Sequence, residues 1–175
     1  MNKLTEQTTP ETELVQPYVL ARDEGRKGHF LNNLVTEKVT AAHGGSVVAV
    51  EANAPQGFGP PLHSHDNEDE IIVVLDGEVR FECGGDVKTV GAGGLAYFPH
   101  GHPHTFQVLS ESSRMLNITA SAAVTPIFDD FVDALSTPTD SVDLPPQTEI
   151  DGGRVAEVGA RHGIQVLGPP PAPLG

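Results

Sequence analysis

Two histidines two residues apart, His63 and His65, open the part of this chain best equipped for chemistry, the run GFGPPLHSHDNEDEIIVVLDG from Gly57 to Gly77. In an extended strand that spacing projects both imidazoles from one face. Glu70 follows within one loop length. A second imidazole source comes later, in GGLAYFPHGHPHTF, where Pro99 and Gly101 shape a turn and His104 opens a new apolar strand. Three neutral imidazoles and one carboxylate make a borderline donor set, which suits Fe, Ni, Co, Cu, Mn or Zn better than Mg or Ca, since those two favour all-oxygen shells. The expectation is one divalent transition metal per chain, held by His63, His65, Glu70 and His104.

The elements that must position these residues read as short strands. Ser46 to Ala52 is a β-branched run between Gly44-Gly45 and Asn53 to Pro55. Glu70 to Leu75 puts Glu70, Ile72 and Val74 on one face and Ile71, Val73 and Leu75 on the other, so both faces read as buried. Glu78 to Cys83 alternates Val79, Phe81 and Cys83 against Glu78, Arg80 and Glu82, the pattern of a half-solvated antiparallel strand. Gly84-Gly85 closes a hairpin into Asp86 to Val90, and Leu95 to Phe98, His104 to Leu109 and Met115 to Ala120 follow at similar intervals. Many short strands with Gly and Pro turns predict an all-β sandwich or barrel.

Helix is expected only late. Thr125 as N-cap and Pro126 at the first helical position lead into a helix with Asp129 and Asp130 in its first turns and a stripe of Ile127, Phe128, Phe131 and Leu135. A second short helix is expected over Asp151 to His162, ended by Gly163. Residues 1–16 read as a mobile polar tail, 17–140 as the barrel with a lid helix, and 141–175 as an extension with a short helix and a Pro-rich tail. Order is expected to begin near Pro17, where Tyr18, Val19 and Leu20 form the first apolar cluster.

A formal charge of −14 argues against nucleic acid or an anionic membrane as partner, because either polyanion is repelled. The single cysteine, Cys83, makes no internal disulfide and reads as a small buried hydrophobe. With no apolar leader at the N-terminus and no spanning run, a cytoplasmic location is expected.

Gly57-x5-His63-x-His65-x4-Glu70-x6-Gly77, followed by Gly93-x5-Pro99-x-Gly101-x2-His104, resembles both signature motifs of the cupin superfamily. The resemblance implies a cupin double-stranded β-helix, or jelly-roll, barrel with short C-terminal helices. It also implies metal ligation by His63, His65, Glu70 and His104, leaving His100 and His102 as turn or rim residues. One position departs: Val108 stands where the second motif often has Asn, which is not a ligand in the pattern. His29, His43 and His162 read as surface or capping residues, and Asp66, Glu68 and Asp69 as solvated charges.

More narrowly, APQGFGPPLHSHDNEDE, PIFDDFVDAL and DGGRVAEVGARHGIQVLGPPP are similar to bacterial single-domain quercetin 2,3-dioxygenase-like cupins. Period-two geometry then places Val48, Val50, Ile72 and Phe106 on the inner face, and the late helix covers the mouth with Phe128, Phe131 and Val132, together forming an apolar substrate pocket. The expected function is metal-dependent dioxygenation of a flavonol-like or other oxygenated aromatic by O2, with Glu70 as ligand and proton acceptor. The same donors loaded with Zn suit an O2-independent cyclase or isomerase acting on a polyketide-like substrate, and a non-catalytic binding cupin is the third alternative. Ile71, Val73 and Leu75, a second apolar face on one strand, predict a homodimer.

Overall fold

The protein is described by a computed structural model covering residues 16–43, 45–121 and 127–174. Two antiparallel sheets carry the architecture. The larger one runs, in spatial order, β11 (Ser136–Pro138), β1 (Arg26–Phe30), β2 (Asn33–Val39), β3 (Val47–Pro55), β10 (Ser112–Ala120), β5 (Asp69–Asp76) and β8 (Leu95–Phe98). The smaller one runs β12 (Ile164–Val166), β4 (His63–His65), β9 (His104–Val108), β6 (Glu78–Cys83) and β7 (Asp86–Gly91). The order of strands within each sheet is far from sequence order, as in a jelly roll, and this all-β architecture is the one expected.

Alternation decides which side chains meet between the sheets. Ala54, Ile72, Val74, Val79, Phe81, Phe98, Val108 and Met115 come from strands of both sheets and pack into one buried cluster. Each of the larger side chains, all but Ala54, contributes ~1.5–3 kcal/mol through burial, which makes this cluster the floor of the barrel. On β5 the inner residues Glu70, Ile72 and Val74 are buried, while Ile71, Val73 and Leu75 are half-buried on the outer face. The turn after β5 requires glycine: Gly77 has φ +85°, and a Cβ there would lie 2.5 Å from the Ser112 carbonyl oxygen.

Two helices close one side. Helix α1 spans Phe128–Ala134 with Ile127 in the cap position, so the expected start at Thr125 and Pro126 lies outside the described residues. Helix α2 spans Gly152–Arg161, is capped by the Asp151 side chain accepting the Arg154 N–H at 3.0 Å, and stops at Gly163 with φ +67°. Phe131 of α1, Val155 and Val158 of α2 and Ile164 of β12 share a second buried cluster.

Several expectations are corrected here. Tyr18, Val19 and Leu20 are exposed rather than the start of a core, although the Tyr18 hydroxyl donates to the Lys38 carbonyl at 2.7 Å. Residues 1–15 of the expected tail at 1–16, and the turn residue Gly44, lie outside the described residues. Residues 164–166, expected in an extension beyond the barrel, are a strand of the smaller sheet. No helix among the described residues is long and apolar enough to cross a membrane.

Candidate metal centre

The strand β4 is only three residues long, and its two histidines point inward together because the alternation is strict. It is held on both edges. His63 pairs with His104 of β9, while Ile164, Gln165 and Val166 of β12 pair with His65, Ser64 and His63. The Asp66 N–H donates to the Gly163 carbonyl at 2.8 Å and the Leu167 N–H to the Leu62 carbonyl at 2.7 Å, so the C-terminal segment zips the whole length of the ligand strand. Glu70 arrives from the opposite sheet, beside Phe98 and Thr119.

These elements bring His63, His65, Glu70 and His104 together with one donor atom each, all within 4.8 Å of one another. Nε2 of His104 lies 2.6 Å and Nε2 of His65 3.7 Å from Oε2 of Glu70. His63 and His104 each turn Nδ1 to a main-chain carbonyl, Pro61 at 2.8 Å and His102 at 2.9 Å, so Nε2 is the inward nitrogen of each ring; on His104 it donates to Glu70, and a bound metal would take the place of that proton. The Phe98 ring stacks on His104 with centroids 4.1 Å apart and fixes its plane.

Electrostatics match that geometry. Burial alone would raise the Glu70 carboxyl, but the His104 hydrogen bond and the three imidazoles outweigh it and hold Glu70 well below the usual carboxylate range. Burial, with His104 beside it, pushes His63 down to about 4. Burial also opposes charge on His65, but Glu68 and Glu70 outweigh it and raise that histidine. The nitrogens of His65 are buried with no hydrogen-bond partner. An ionised carboxylate, imidazole nitrogens gathered within 4.8 Å and an unsatisfied buried imidazole are what a divalent transition ion requires, so this cluster is one that can hold a metal.

Beside the cluster lies a cavity of about 100 Å³, reached by His63, Glu70 and Asn117 and otherwise walled mainly by apolar side chains. Val50, Phe106, Phe128, Phe131 and Val132 stand on its wall. Val48 and Ile72 do not, which corrects their assignment to the pocket. Both face inward, but Ile72 is packed among Val74, Phe98 and Met115, and Val48 among Val35, Val50 and Val132. The cavity also takes Val155, Ile164 and Val166 from the C-terminal segment.

Two polar residues at this site were not anticipated. Asn117 donates from Nδ2 to Oε1 of Glu70 at 2.5 Å, and its signal in the sequence is an amide in phase with the buried Ser113, Met115 and Thr119 of β10. Glu68, read as solvated, is 3% exposed, with Oε2 3.9 Å from Nδ1 of His65. Asp66 is exposed, and half-buried Asp69 accepts the N–H and faces Nδ1 of His100. His100 and His102 stay exposed at the turn, Cys83 is half-buried against the core, and His162 turns Nδ1 to the Val158 carbonyl at the end of α2.

Residues 49–119 match the family model described as Cupin domain. The chain is 27% identical over 154 residues to a quercetin 2,3-dioxygenase of Bacillus subtilis (strain 168), covering 86% of this chain and 44% of that protein. It therefore spans less than half the length of that relative. Among solved structures, KdgF from Halomonas sp. superposes with a TM-score of 0.53 at 16% identity, over 60% of this chain and 94% of that one. A predicted oxalate decarboxylase from Thermotoga maritima superposes with a TM-score of 0.53 at 18% identity, over 59% of this chain and 99% of the other. At such identities the likeness is one of fold.

Proposed function

Because this chain is a cupin that resembles quercetinase-like proteins, we propose that it is a metal-dependent dioxygenase acting with O2 on an oxygenated aromatic substrate. The observation that carries this reading is the convergence of His63, His65, Glu70 and His104 at the side of an apolar cavity. A divalent transition ion bound there supplies Lewis acidity toward a substrate oxygen and, for a redox-active ion, a means of engaging O2. The identity of the ion follows cellular supply and affinity order as much as ligand type.

The side chains divide the remaining work. His63, His65, His104 and Glu70 would hold the ion, the histidines through their inward nitrogens. Glu70 accepts the proton of the substrate hydroxyl at a carboxylate oxygen, and Asn117 fixes Oε1 so that the carboxylate does not swing. Val50, Phe106, Phe128, Phe131 and Val132 contact the aromatic framework and keep water from the reacting carbon. Cavity size bears on the substrate. At about 100 Å³ the space is nearer to that of an apolar cavity of about 150 Å³ which holds benzene than to a three-ring flavonol, so a flavonol enters only if α1 or the Phe side chains shift.

The deciding experiment loads the protein separately with Fe, Ni, Co, Mn, Cu and Zn. Each form is offered quercetin and single-ring hydroxylated aromatics under air and under nitrogen. Oxygen uptake with product formed only in air supports the proposal, and carbon monoxide release identifies flavonol-type ring cleavage. Equal product under nitrogen replaces it with the O2-independent cyclase or isomerase. No turnover in any combination removes both and leaves a binding cupin.

The proposal extends to assembly and location. A homodimer is supported by the outer face of the larger sheet, where Ile71 and Val73 pair with Tyr97 and Leu95, the latter two 53% and 57% exposed, and with Ile118 and Leu116. Light scattering across a concentration series should return twice the chain mass, and a constant monomer mass would remove the dimer. The location proposed is the cytoplasm.

A further inference from the structure

Glu68 sits in an acidic run yet is 3% exposed, and a carboxylate so placed needs partners. It has two. Oε1 accepts the Ile127 N–H at 2.9 Å, and Oε2 lies 3.9 Å from Nδ1 of His65. Ile127 immediately precedes α1, the helix whose Phe128, Phe131 and Val132 wall the cavity. One carboxylate thus touches both the cluster of histidines and the start of the helix that covers the space beside them.

The three histidines are not held alike. His63 and His104 each hydrogen-bond through Nδ1 to the carbonyl two residues earlier, whereas neither nitrogen of His65 has a hydrogen-bond partner. The group facing Nδ1 of His65 is Glu68. An ion held through Nε2 leaves the remaining proton on Nδ1, aimed at that carboxylate, and such an outer partner orients the ring and raises its basicity as a ligand. The Phe128 ring lies 5.9 Å from the His65 ring, so a reorientation of the imidazole is felt on the cavity wall directly.

We propose that Glu68 is a positioning residue that links metal occupancy at His65 to the seating of α1 over the cavity. The inference rests on the metal reading of the four-residue cluster. It does not depend on which reaction the protein performs. A carboxylate is the group suited to this link, because one oxygen keeps the Ile127 N–H while the other is free to accept from Nδ1 of His65 once an ion holds the ring.

The test uses the full chain as wild type, Glu68→Gln and Glu68→Ala, with Ni²⁺ and Zn²⁺ as probes. Affinity is measured by competition with a chelator, and amide hydrogen exchange is followed across residues 127–134 with and without the ion. In the wild type, loading slows exchange in that segment. Glu68→Ala weakens metal binding by roughly 10- to 100-fold, as for outer partners of ligating histidines, and exchange in α1 becomes the same with and without metal.

Glu68→Gln separates the two contacts. Its amide oxygen still accepts the Ile127 N–H, so metal-free exchange stays at the wild-type level, while affinity falls and loading no longer slows α1. A purely structural role predicts a Gln variant that behaves as wild type in both measurements, and that result overturns the proposal. Wild-type protein that binds about one ion with no change in α1 exchange overturns the link and leaves the metal centre standing. Wild type that takes up neither ion overturns both.

Discussion

Glu70 and Ile72 lie two residues apart on β5 and point the same way into the barrel, but they enter opposite surroundings. Ile72 joins Val74, Phe98 and Met115 in the buried apolar cluster, and Asn117 is its partner across the strand pair. Glu70 is surrounded by His63, His65, His104 and Asn117. The floor is held by burial from many directions, and the metal end by a few directed contacts whose strength depends on charge. A site of this kind needs both, because directed contacts hold a geometry only when the strands beneath them do not move.

The largest effect that would test this division comes from removing donors at the polar end. His63→Ala with His65→Ala should abolish metal binding, from about one ion per chain to a trace by elemental analysis, with the far-ultraviolet circular dichroism of the barrel retained. Undiminished metal content would mean that the ion sits elsewhere. Glu70→Gln keeps an oxygen at the site but loses the base, so turnover should fall on the order of 10²- to 10⁴-fold while metal is retained. Activity close to wild type would remove Glu70 from proton transfer. On the floor the pattern reverses: Ile72→Ala should cost about 2–5 kcal/mol of unfolding free energy in urea and leave metal stoichiometry unchanged. If Ile72→Ala instead costs little stability but loses the metal, the two regions are not separable in the way described.

The strand pattern and the four converging residues are legible in the sequence, and what is not legible has specific physical reasons. β6 and β8 were legible to the residue because alternation and glycine turns are local properties. Alternation gives a face but not a depth, which is why Val48 and Ile72 were assigned to the pocket together with Val50 and Phe106. Depth depends on what packs at that level, here Phe81 of the smaller sheet and Phe98 of the larger one in the cluster of Ile72, and Val35 and Val132 in that of Val48. β12 was illegible because three residues, Ile164–Val166, make a strand only against a partner nearly 100 positions away, as the Gln165 to Asp66 hydrogen bond shows with its separation of 99. Glu68 looks like its acidic neighbours, and only the Ile127 N–H brought to it by the fold distinguishes it.

The smallest predicted effect concerns how α1 is fastened at its other end, and it sharpens the contrast between directed contacts and burial. Arg26 of β1 donates from Nη2 to Glu37 at 2.7 Å and to Asp133 of α1 at 2.6 Å, and from Nε to Glu37 at 3.1 Å. Two carboxylates therefore share one guanidinium. Burial pushes Glu37 up to about 7; Arg26 opposes the shift, and Asp133 adds to it. A carboxyl raised above its ordinary value of 4.5 favours the protonated form in the folded chain. Its contribution to stability is therefore fully present below about pH 4.5 and is lost as pH rises through about 7. Because Arg26 and Asp133 are 56% and 43% exposed, solvent screens the cluster, and the loss is on the order of 1 kcal/mol rather than the full linkage value. Glu37→Gln stays neutral throughout, so wild type and variant should differ little in unfolding free energy at pH 5, and the wild type should fall behind as pH rises to 8. A wild type that gains on the variant over that interval would show that the Arg26 pairing outweighs burial, and that the far end of α1 is fastened by charge as its near end is.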